Sequence, residues 1–237
     1  MNVNIYKSSE ECNSRLAEYL IKEYLRKDKN IAISGGSTPI GLFNEILNKI
    51  NKKFKIKSNF FWVDERCVDP SSTDSNFGSA NKHFLSKVNI SNNNIFRIRG
   101  EEKPEIEASY YTELLKTKTE IINNIPSLDL CLLGIGGDGH TASIFPHELK
   151  KLSDKTDCVV GINPESGQKR VSLSIKQINN SKEVIFHVCG SGKKDIVDMI
   201  ISKRDNYLDL PASHILPKSK NLSWYLDFDS AETFMGT

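Results

Sequence analysis

The sequence lacks the features that mark membrane, secreted and nucleic-acid-binding proteins. No apolar stretch approaches the roughly 18 residues that a membrane-spanning helix needs. The first residues carry neither a basic segment nor a long apolar segment, so no signal peptide is visible. The formal net charge is only +2, and no basic stripe with interleaved aromatic residues occurs. We therefore expect a cytoplasmic protein that binds neither a membrane nor a nucleic acid.

Cysteine is scarce and scattered. The five cysteines are odd in number and include no C-x-x-C pair, which favours free thiols over a disulfide framework. An H-E-x-x-H pattern and a G-x-S-x-G nucleophile elbow are also missing, and the five histidines do not stand at the spacing of metal ligands. The sequence therefore predicts no metal site and no serine nucleophile of that type.

What the sequence does contain is an alternation of apolar runs and helical patterns over 237 residues. Several runs are apolar throughout, as is typical of strands buried on both faces of a parallel sheet. We predict one domain over residues 1–237 with an α/β fold, a doubly wound, mostly parallel sheet with helices on both faces in a Rossmann-like three-layer sandwich. Strands are predicted at 3–6, 30–34, 60–64, 94–98, 129–133, 157–160, 170–174, 183–188 and 222–226, and helices at 8–27, 39–50, 105–123 and 193–202.

A glycine turn with hydroxyl residues follows the second predicted strand. Ligands of doubly wound sheets bind outside the carboxyl ends of the strands, so this turn is a candidate site. Glycine N–H groups, a helix N-terminus and hydroxyls can hold a phosphate. The candidate phosphate ligands are Gly35, Gly36, Ser37 and Thr38. The alternative is a glycine turn with a Ser/Thr helix cap, and no Walker loop is present because no Gly-Lys-Ser/Thr follows.

Charged residues follow two further strands. Asp64 and Arg66 come directly after an apolar run, where Asp64 can orient or deprotonate a substrate and Arg66 can pair with an anion. The alternative is a surface cluster of ion pairs. Lys193 stands in a glycine-rich turn that opens a helix, and it is a candidate anion ligand. The alternative there is a flexible surface turn with ordinary lysines.

The stretch from Gly134 to Pro146 is the most informative segment. Its start matches G-x-G-x-x-G, but Pro146 interrupts the helix that a dinucleotide site needs, and no acidic residue ends the next strand. Asp138 and His140 stand two residues apart in this turn. A carboxylate beside an imidazole favours general-base chemistry, with a structural histidine as the alternative.

Together these segments resemble the 6-phosphogluconolactonases, which share a superfamily with glucosamine-6-phosphate deaminase. The matching pieces are Ser34 to Pro39, Trp62 to Arg66, Asp74-Ser75-Asn76, Gly134 to Pro146, Arg170, Gly190-x-x-Lys193, Leu210 to Ser213 and Trp224 to Asp227. In the deaminases the histidine is followed by Ile-Ala-Phe-Asn-Glu-Pro, whose glutamate serves ring opening. Here Thr141-Ala142-Ser143-Ile144-Phe145-Pro146 follows, which is the lactonase form. One departure is the lack of prolines just before Arg170.

The resemblance implies hydrolysis of 6-phosphoglucono-1,5-lactone to 6-phosphogluconate in the oxidative pentose phosphate pathway. A δ-lactone is already reactive, so one base that activates water would suffice. We assign that role to His140 as a hypothesis. Either Asp138 or Asp64 would hold the imidazole tautomer, and the sequence leaves both open.

Substrate binding is assigned on the same resemblance. The glycine turn at 35–38, Lys193 and Arg170 would hold the phosphate. The oxyanion would be stabilised by Arg66 or by backbone N–H groups of the turn that contains Gly136, Gly137 and Gly139. We expect no cofactor, a small phosphorylated sugar lactone as the only partner, and a monomer. A longer polypeptide stays open, because lactonases of this family are sometimes fused to the dehydrogenase that makes their substrate.

Two other functions remain as alternatives. The first is an amino-sugar-phosphate deaminase-isomerase, against which the missing Asn-Glu-Pro argues. The second is a non-catalytic sugar-phosphate sensor, which would keep the phosphate turn but would not need His140.

Overall fold

The computed structural model describes residues 1–236, and a seven-stranded parallel sheet lies at its centre. The strands of these residues are β1 (Asn2–Tyr6), β2 (Asn30–Ile33), β3 (Asn59–Trp62), β4 (Asp64–Arg66), β5 (Ile95–Phe96), β6 (Glu120–Ile122), β7 (Ile125–Ser127), β8 (Leu130–Leu133), β9 (Val159–Ile162), β10 (Lys169–Ser172), β11 (Val184–Val188) and β12 (Leu222–Asp227). The helices are α1 (Ser9–Leu20), α2 (Ser37–Lys49), α3 (Asn76–His83), α4 (Pro104–Lys118), α5 (Leu149–Leu152), α6 (Ile175–Asn179), α7 (Lys194–Ile201) and α8 (Phe228–Met235).

The order of the central sheet is β1-β12-β11-β8-β2-β3-β5, and every neighbouring pair is parallel. From β2 the chain winds outward through β3 to β5, and it then returns to β8 on the other side of β2. The winding direction therefore reverses between β2 and β8, which is where doubly wound folds bind ligands. The predicted α/β fold with a mostly parallel sheet is confirmed.

Two predicted strands do not join this sheet. The segments predicted at 157–160 and 170–174 form β9 and β10, which pair antiparallel with each other and with β4 in a separate small sheet. Val63 joins the two sheets, because its N–H donates to Ile33 O (3.0 Å) while its own carbonyl accepts from Leu173 N (2.8 Å). The predicted strand at 60–64 is therefore divided at Val63 into β3 and β4.

The prediction of a helix over 105–123 is wrong for its last residues. Helix α4 ends at Lys118, and the chain continues into the β6–β7 hairpin. Asn123 and Asn124 form the hairpin turn with φ values of 54° and 63°. Asparagine tolerates positive φ, and two such residues make the turn that best matches the twist of a hairpin. Helices α3, α5, α6 and α8 lie outside the predicted helices. None has more than eight residues, and so few turns carry little periodicity, although the equally short α7 falls within the predicted helix at 193–202.

The start of α1 shows how local chemistry fixes an element. Ser8 precedes the helix with extended backbone, and its hydroxyl accepts from Glu11 N at 3.3 Å. The Glu11 side chain in turn accepts from Lys7 N. After Leu20 the chain makes one π-helical turn, Ile21–Leu25. Ser8 is therefore the N-cap of α1.

The buried apolar side chains form one cluster that contains residues of the central sheet, of the small sheet and of the surrounding helices. Trp62 and Trp224 are among its largest fully buried members. The strand Leu130–Leu133 is buried at every position, which explains why its sequence does not alternate. Among the described residues, no helix combines the length and the apolar character needed to cross a membrane.

Candidate active site

The loops after β2, β3, β8 and β11 meet at the carboxyl edge of the central sheet, at the point where the winding reverses. They enclose a cavity of about 260 Å³. Its wall contains most of the residues predicted to form a site: Gly35, Gly36, Ser37, Thr38, Asp64, Arg66, Gly136, His140, Arg170 and Lys193. Three predicted residues, Gly137, Asp138 and Gly139, lie outside this wall.

The start of α2 faces the cavity without a side-chain cap. Gly36 precedes the helix at φ 98°, a conformation that favours glycine, and no side chain of the described residues 1–236 caps the helix start by a hydrogen bond. Ser34 Oγ donates to Leu132 O (2.8 Å) and so ties this turn to β8. The Ser/Thr-cap alternative therefore does not describe the turn. Uncapped N–H groups at a helix start form a favourable environment for an anion.

His140 and Asp138 form a hydrogen-bonded pair. Their Nδ1 and Oδ1 atoms lie 2.6 Å apart, and the same carboxylate oxygen accepts from His140 N (3.1 Å). Burial alone would raise the pKa of Asp138, but the hydrogen bond and charge of His140 outweigh it and lower that pKa. Among residues 1–236, no group hydrogen-bonds to Nε2 of His140. The imidazole is therefore held at one nitrogen and available at the other.

Gly136 makes room for this pair. A Cβ atom at Gly136 would lie 2.1 Å from His140 Nδ1 and 2.6 Å from Asp138 Oδ1. Two N–H groups of the turn are already used, since Gly136 N donates to His140 O (2.8 Å) and Gly139 N donates to Gly136 O (3.0 Å). Neither is available for an oxyanion in this conformation. The turn is also supported from outside, because Ala212 N donates to Gly139 O (3.0 Å).

Asp64 is 5% exposed and is bonded to groups other than His140. Its Oδ2 accepts from Ser143 Oγ at 2.6 Å, and its Oδ1 accepts from Asn76 Nδ2 at 3.3 Å. Ala142 stands between His140 and Ser143 with φ 49°. Such strained backbone often marks a functional turn. Asp64 therefore anchors the segment after His140, while Asp138 contacts the imidazole itself.

Glu65, which the sequence did not single out, organises the neighbouring loop. It is 2% exposed. Its carboxylate accepts from Asn76 N and Phe77 N, both at 2.7 Å, and from Arg66 N at 2.8 Å. Burial raises its pKa, while the backbone donors oppose that rise. Glu65 thus satisfies the N-terminal donors of α3.

Arg66 and Arg170 lie directly opposite each other on β4 and β10. Arg66 Nη1 donates to Asp74 O (2.8 Å), but the Nε atoms of both arginines are buried without a hydrogen-bond partner among the described residues. Burial and the charge of Arg66 lower the pKa of Arg170. Like charges opposite each other in a strand pair are unfavourable by themselves. An anion between them would remove this repulsion.

The wall also contains residues that are not among the predicted site residues. Asn76 packs against Gly35 so closely that a Cβ there would lie 1.8 Å from Asn76 Oδ1. His187 and Cys189 also line the cavity. The sequence signal for Asn76 is the piece Asp74-Ser75-Asn76 of the family resemblance, and in the structure Asn76 is the first residue of α3. His187 lies inside an apolar strand, and nothing in that pattern distinguishes it from a core residue.

The family model for glucosamine-6-phosphate isomerases/6-phosphogluconolactonase matches residues 7–224. The chain belongs to this family. A 6-phosphogluconolactonase of Treponema pallidum is 38% identical over 190 residues, which cover 79% of this chain and 78% of that protein. A 6-phosphogluconolactonase of Aggregatibacter actinomycetemcomitans is 34% identical, with 98% of this chain and 99% of the relative covered. The crystal structure of a devB protein superposes with a TM-score of 0.91 at 36% identity, covering 98% of each chain.

Two further matches bear on the alternatives. A human GDH/6PGL endoplasmic bifunctional protein is 32% identical over 94% of this chain, which corresponds to 29% of that protein. Fused relatives therefore exist. A monomeric glucosamine-6-phosphate deaminase superposes with a TM-score of 0.84 at 21% identity, covering 98% of this chain and all of that chain. This likeness shows a shared fold alone.

Proposed function

We propose that this chain is a 6-phosphogluconolactonase that hydrolyses 6-phosphoglucono-1,5-lactone to 6-phosphogluconate, a step of the oxidative pentose phosphate pathway. The relatives named 6-phosphogluconolactonase support this choice of substrate. The observation that carries the chemistry is the 2.6 Å contact between Asp138 Oδ1 and His140 Nδ1, in a turn whose imidazole lines a cavity with cationic walls.

His140 acts as the general base. Because Asp138 accepts from Nδ1–H, the lone pair resides on Nε2, which removes a proton from water as the oxygen attacks C1 of the lactone. Collapse of the tetrahedral intermediate breaks the bond between C1 and the ring oxygen, and the imidazolium returns its proton to that oxygen. Proton transfer of this kind contributes roughly 10²–10⁴-fold. Neither a metal nor a covalent intermediate is part of this proposal.

The two arginines stabilise the oxyanion. The Arg170 guanidinium lies 5.5 Å above the Phe145 ring, and the same ring lies 4.8 Å from the His140 ring. This chain of contacts places positive charge near the proposed base. The unpaired Nε donors of Arg66 and Arg170 support the same assignment, because preorganised donors lower the energy of developing negative charge. This assignment moves Arg170 from the expected phosphate site to the oxyanion, and it replaces the turn N–H groups, two of which are used internally.

The phosphate binds at the start of α2 with Lys193. The uncapped start of α2 behind Gly36, Ser37 and Thr38, and Lys193 all contribute to the wall of the cavity. Phosphate is remote from the reacting carbonyl, so its binding energy serves to hold the lactone in register.

The residues after His140 favour the lactonase over the deaminase reaction. Phe145 stands where the deaminase motif has its ring-opening glutamate, and it is 1% exposed, with its ring against His140. A buried phenyl ring cannot transfer a proton. The site therefore retains one base and lacks the acid-base partner that the deaminase motif supplies.

One assay tests the proposal. Purified protein is given the freshly prepared lactone, and acid release is compared with spontaneous hydrolysis in buffer. We expect release well above the spontaneous rate and no ammonia from glucosamine 6-phosphate. His140→Ala should reduce turnover by roughly 10²–10⁴-fold while 6-phosphogluconate still binds. Ammonia release would favour the deaminase, and binding without turnover would favour the sensor.

A further inference from the structure

Three potential metal ligands meet beside the substrate cavity, although they are far apart in the sequence. Cys12 lies on α1, His187 lies on β11, and Cys189 follows β11. One ligating atom from each lies within 4.8 Å of the other two. Cys12 is fully buried and His187 is 3% exposed, while Cys189 reaches the cavity wall. Two sulfurs and an imidazole in this arrangement are a ligand set typical of zinc.

We propose that Cys12, His187 and Cys189 form a binding site for a soft divalent cation of the zinc class, separate from the proposed base and unrelated to its chemistry. The site goes beyond the proposed lactonase function, which requires no metal.

The distances require little movement. Cys189 Sγ lies 3.8 Å from His187 Nε2. In a tetrahedral zinc site, with Zn–S of about 2.3 Å and Zn–N of about 2.0 Å, a sulfur and a nitrogen ligand are roughly 3.6 Å apart and two sulfurs roughly 3.8 Å apart. The three atoms therefore need to contract by about 1 Å at most.

The charge of the ligands also suits a cation. A metal-bound cysteine is a thiolate, so binding releases protons from Cys12 and Cys189, and the two thiolates then balance the charge of the dication.

His187 supplies the third ligand through Nε2, the ring atom that contacts Cys189, and its ring is buried. A Cys12–Cys189 disulfide would involve only the two sulfurs and would leave this buried imidazole outside the bond. A metal uses all three groups.

The test measures zinc binding without substrate, so its outcome is independent of lactonase activity. Protein kept reduced with a phosphine is dialysed against Zn²⁺, and bound metal is counted by elemental mass spectrometry. We expect one zinc per chain. With Co²⁺ as the probe, a thiolate-to-metal charge-transfer band should appear.

Variants identify the ligands. Cys189→Ser and Cys12→Ser should each weaken zinc binding by roughly 100-fold, because each thiolate supplies a large share of the binding free energy. Cys67→Ser is the matched control, since Cys67 is also a partly exposed free thiol but lies outside the cluster. Equal zinc binding by Cys67→Ser and Cys189→Ser overturns the proposal, as does wild-type protein that retains no zinc.

A measurement on the wild type covers the case in which Cys12→Ser does not fold. Alkylation of Cys189 is followed by peptide mass spectrometry with and without Zn²⁺, and Cys67 serves as the internal reference. Zinc should slow the reaction of Cys189 by at least about tenfold relative to Cys67, because a coordinated thiolate is a poor nucleophile. Equal protection of both thiols contradicts the site.

Discussion

Asp138 Oδ1 accepts a hydrogen bond from the imidazole of His140 at Nδ1, over 2.6 Å, and the two residues are separated by a single glycine. The pairing is local in sequence, yet it depends on Gly136, whose missing side chain leaves the space for both groups. Which of two carboxylates orients the proposed base is therefore a question that substitution can answer.

Asp138→Asn should lower kcat by roughly 10²-fold, because an amide no longer fixes the imidazole tautomer that presents a free Nε2. Asp64→Asn should instead lower thermal stability, since Asp64 accepts from Ser143 and Asn76 and has no bond to the imidazole. Both variants are compared by kcat, KM and melting temperature. A larger kcat loss in Asp64→Asn would assign the orienting role to Asp64.

Gly136→Ala should lower activity by more than about tenfold while the protein remains folded, because the new Cβ displaces the His140 ring. Gly137→Ala is the matched comparison. It lies in the same turn, and a Cβ there meets nothing within 4 Å. Gly137→Ala also keeps the backbone N–H of residue 137, so the activity of this variant should stay within about twofold of the wild type. Steady-state kinetics and circular dichroism check both, and equal losses would refute the steric argument.

Lys193→Ala should weaken 6-phosphogluconate binding by roughly tenfold and raise KM more than it lowers kcat, because we propose that the ammonium binds the remote phosphate. Lys194→Ala is the control, since that ammonium pairs with Glu232 on the surface (2.8 Å) and does not line the cavity. Calorimetry with 6-phosphogluconate measures both. Unchanged affinity in Lys193→Ala would make it an ordinary surface lysine.

Asp129 should make folding stability depend on pH. Burial tends to raise its pKa, but bonds from Asn30 N (2.9 Å) and from Lys29 and Lys182 outweigh burial and lower it. A lowered pKa in the folded state means that the contribution is present above the unfolded pKa of about 3.9 and is lost as pH falls through the folded pKa. Asp129→Asn should therefore cost about 1 kcal/mol at pH 7, and this cost should fall progressively as the pH drops below the unfolded pKa of about 3.9.

Urea unfolding of the wild type and of Asp129→Asn, at pH 7 and at several pH values below about 3.9, measures how the stability cost of the substitution changes with pH. Asp157→Asn is the control, because Asp157 is exposed and its nearest cation, Lys116, is 3.8 Å away. A cost for Asp129→Asn that stays constant with pH would show that shape, not charge, sets its contribution.

The sequence predicts strands and helices well where buried residues form a continuous run or a regular pattern. The fully apolar strands at Phe60 and Leu130 could be read as central and parallel, and the residues that follow them could be placed at one edge. The small antiparallel sheet could not be predicted, because Lys169–Ser172 is short and half polar and its partner Asp64–Arg66 is far away in the chain.

The same limit applies to the candidate site. Local motifs such as the turn with Asp138 and His140 carry their own geometry, so their proximity could be predicted. The packing of Asn76 against Gly35, and the meeting of Cys12 with His187 and Cys189, depend on which helix covers which strand. Such contacts between distant segments leave no spacing that a single sequence reveals.

The division of the chain at Val63 separates the residues of the cavity into two groups, one on each sheet. His140 and the start of α2 belong to the central sheet, whereas Arg66 and Arg170 belong to the small one, and the hydrogen bond from Ser143 to Asp64 links the two. Substitutions of Arg66 or Arg170 should therefore change the charge of the cavity wall without displacing His140, whereas substitution of Asp64 should disturb the segment after His140. For protein engineering, the two arginine positions of the small sheet are therefore the ones to vary, and the central sheet is the part to leave unchanged.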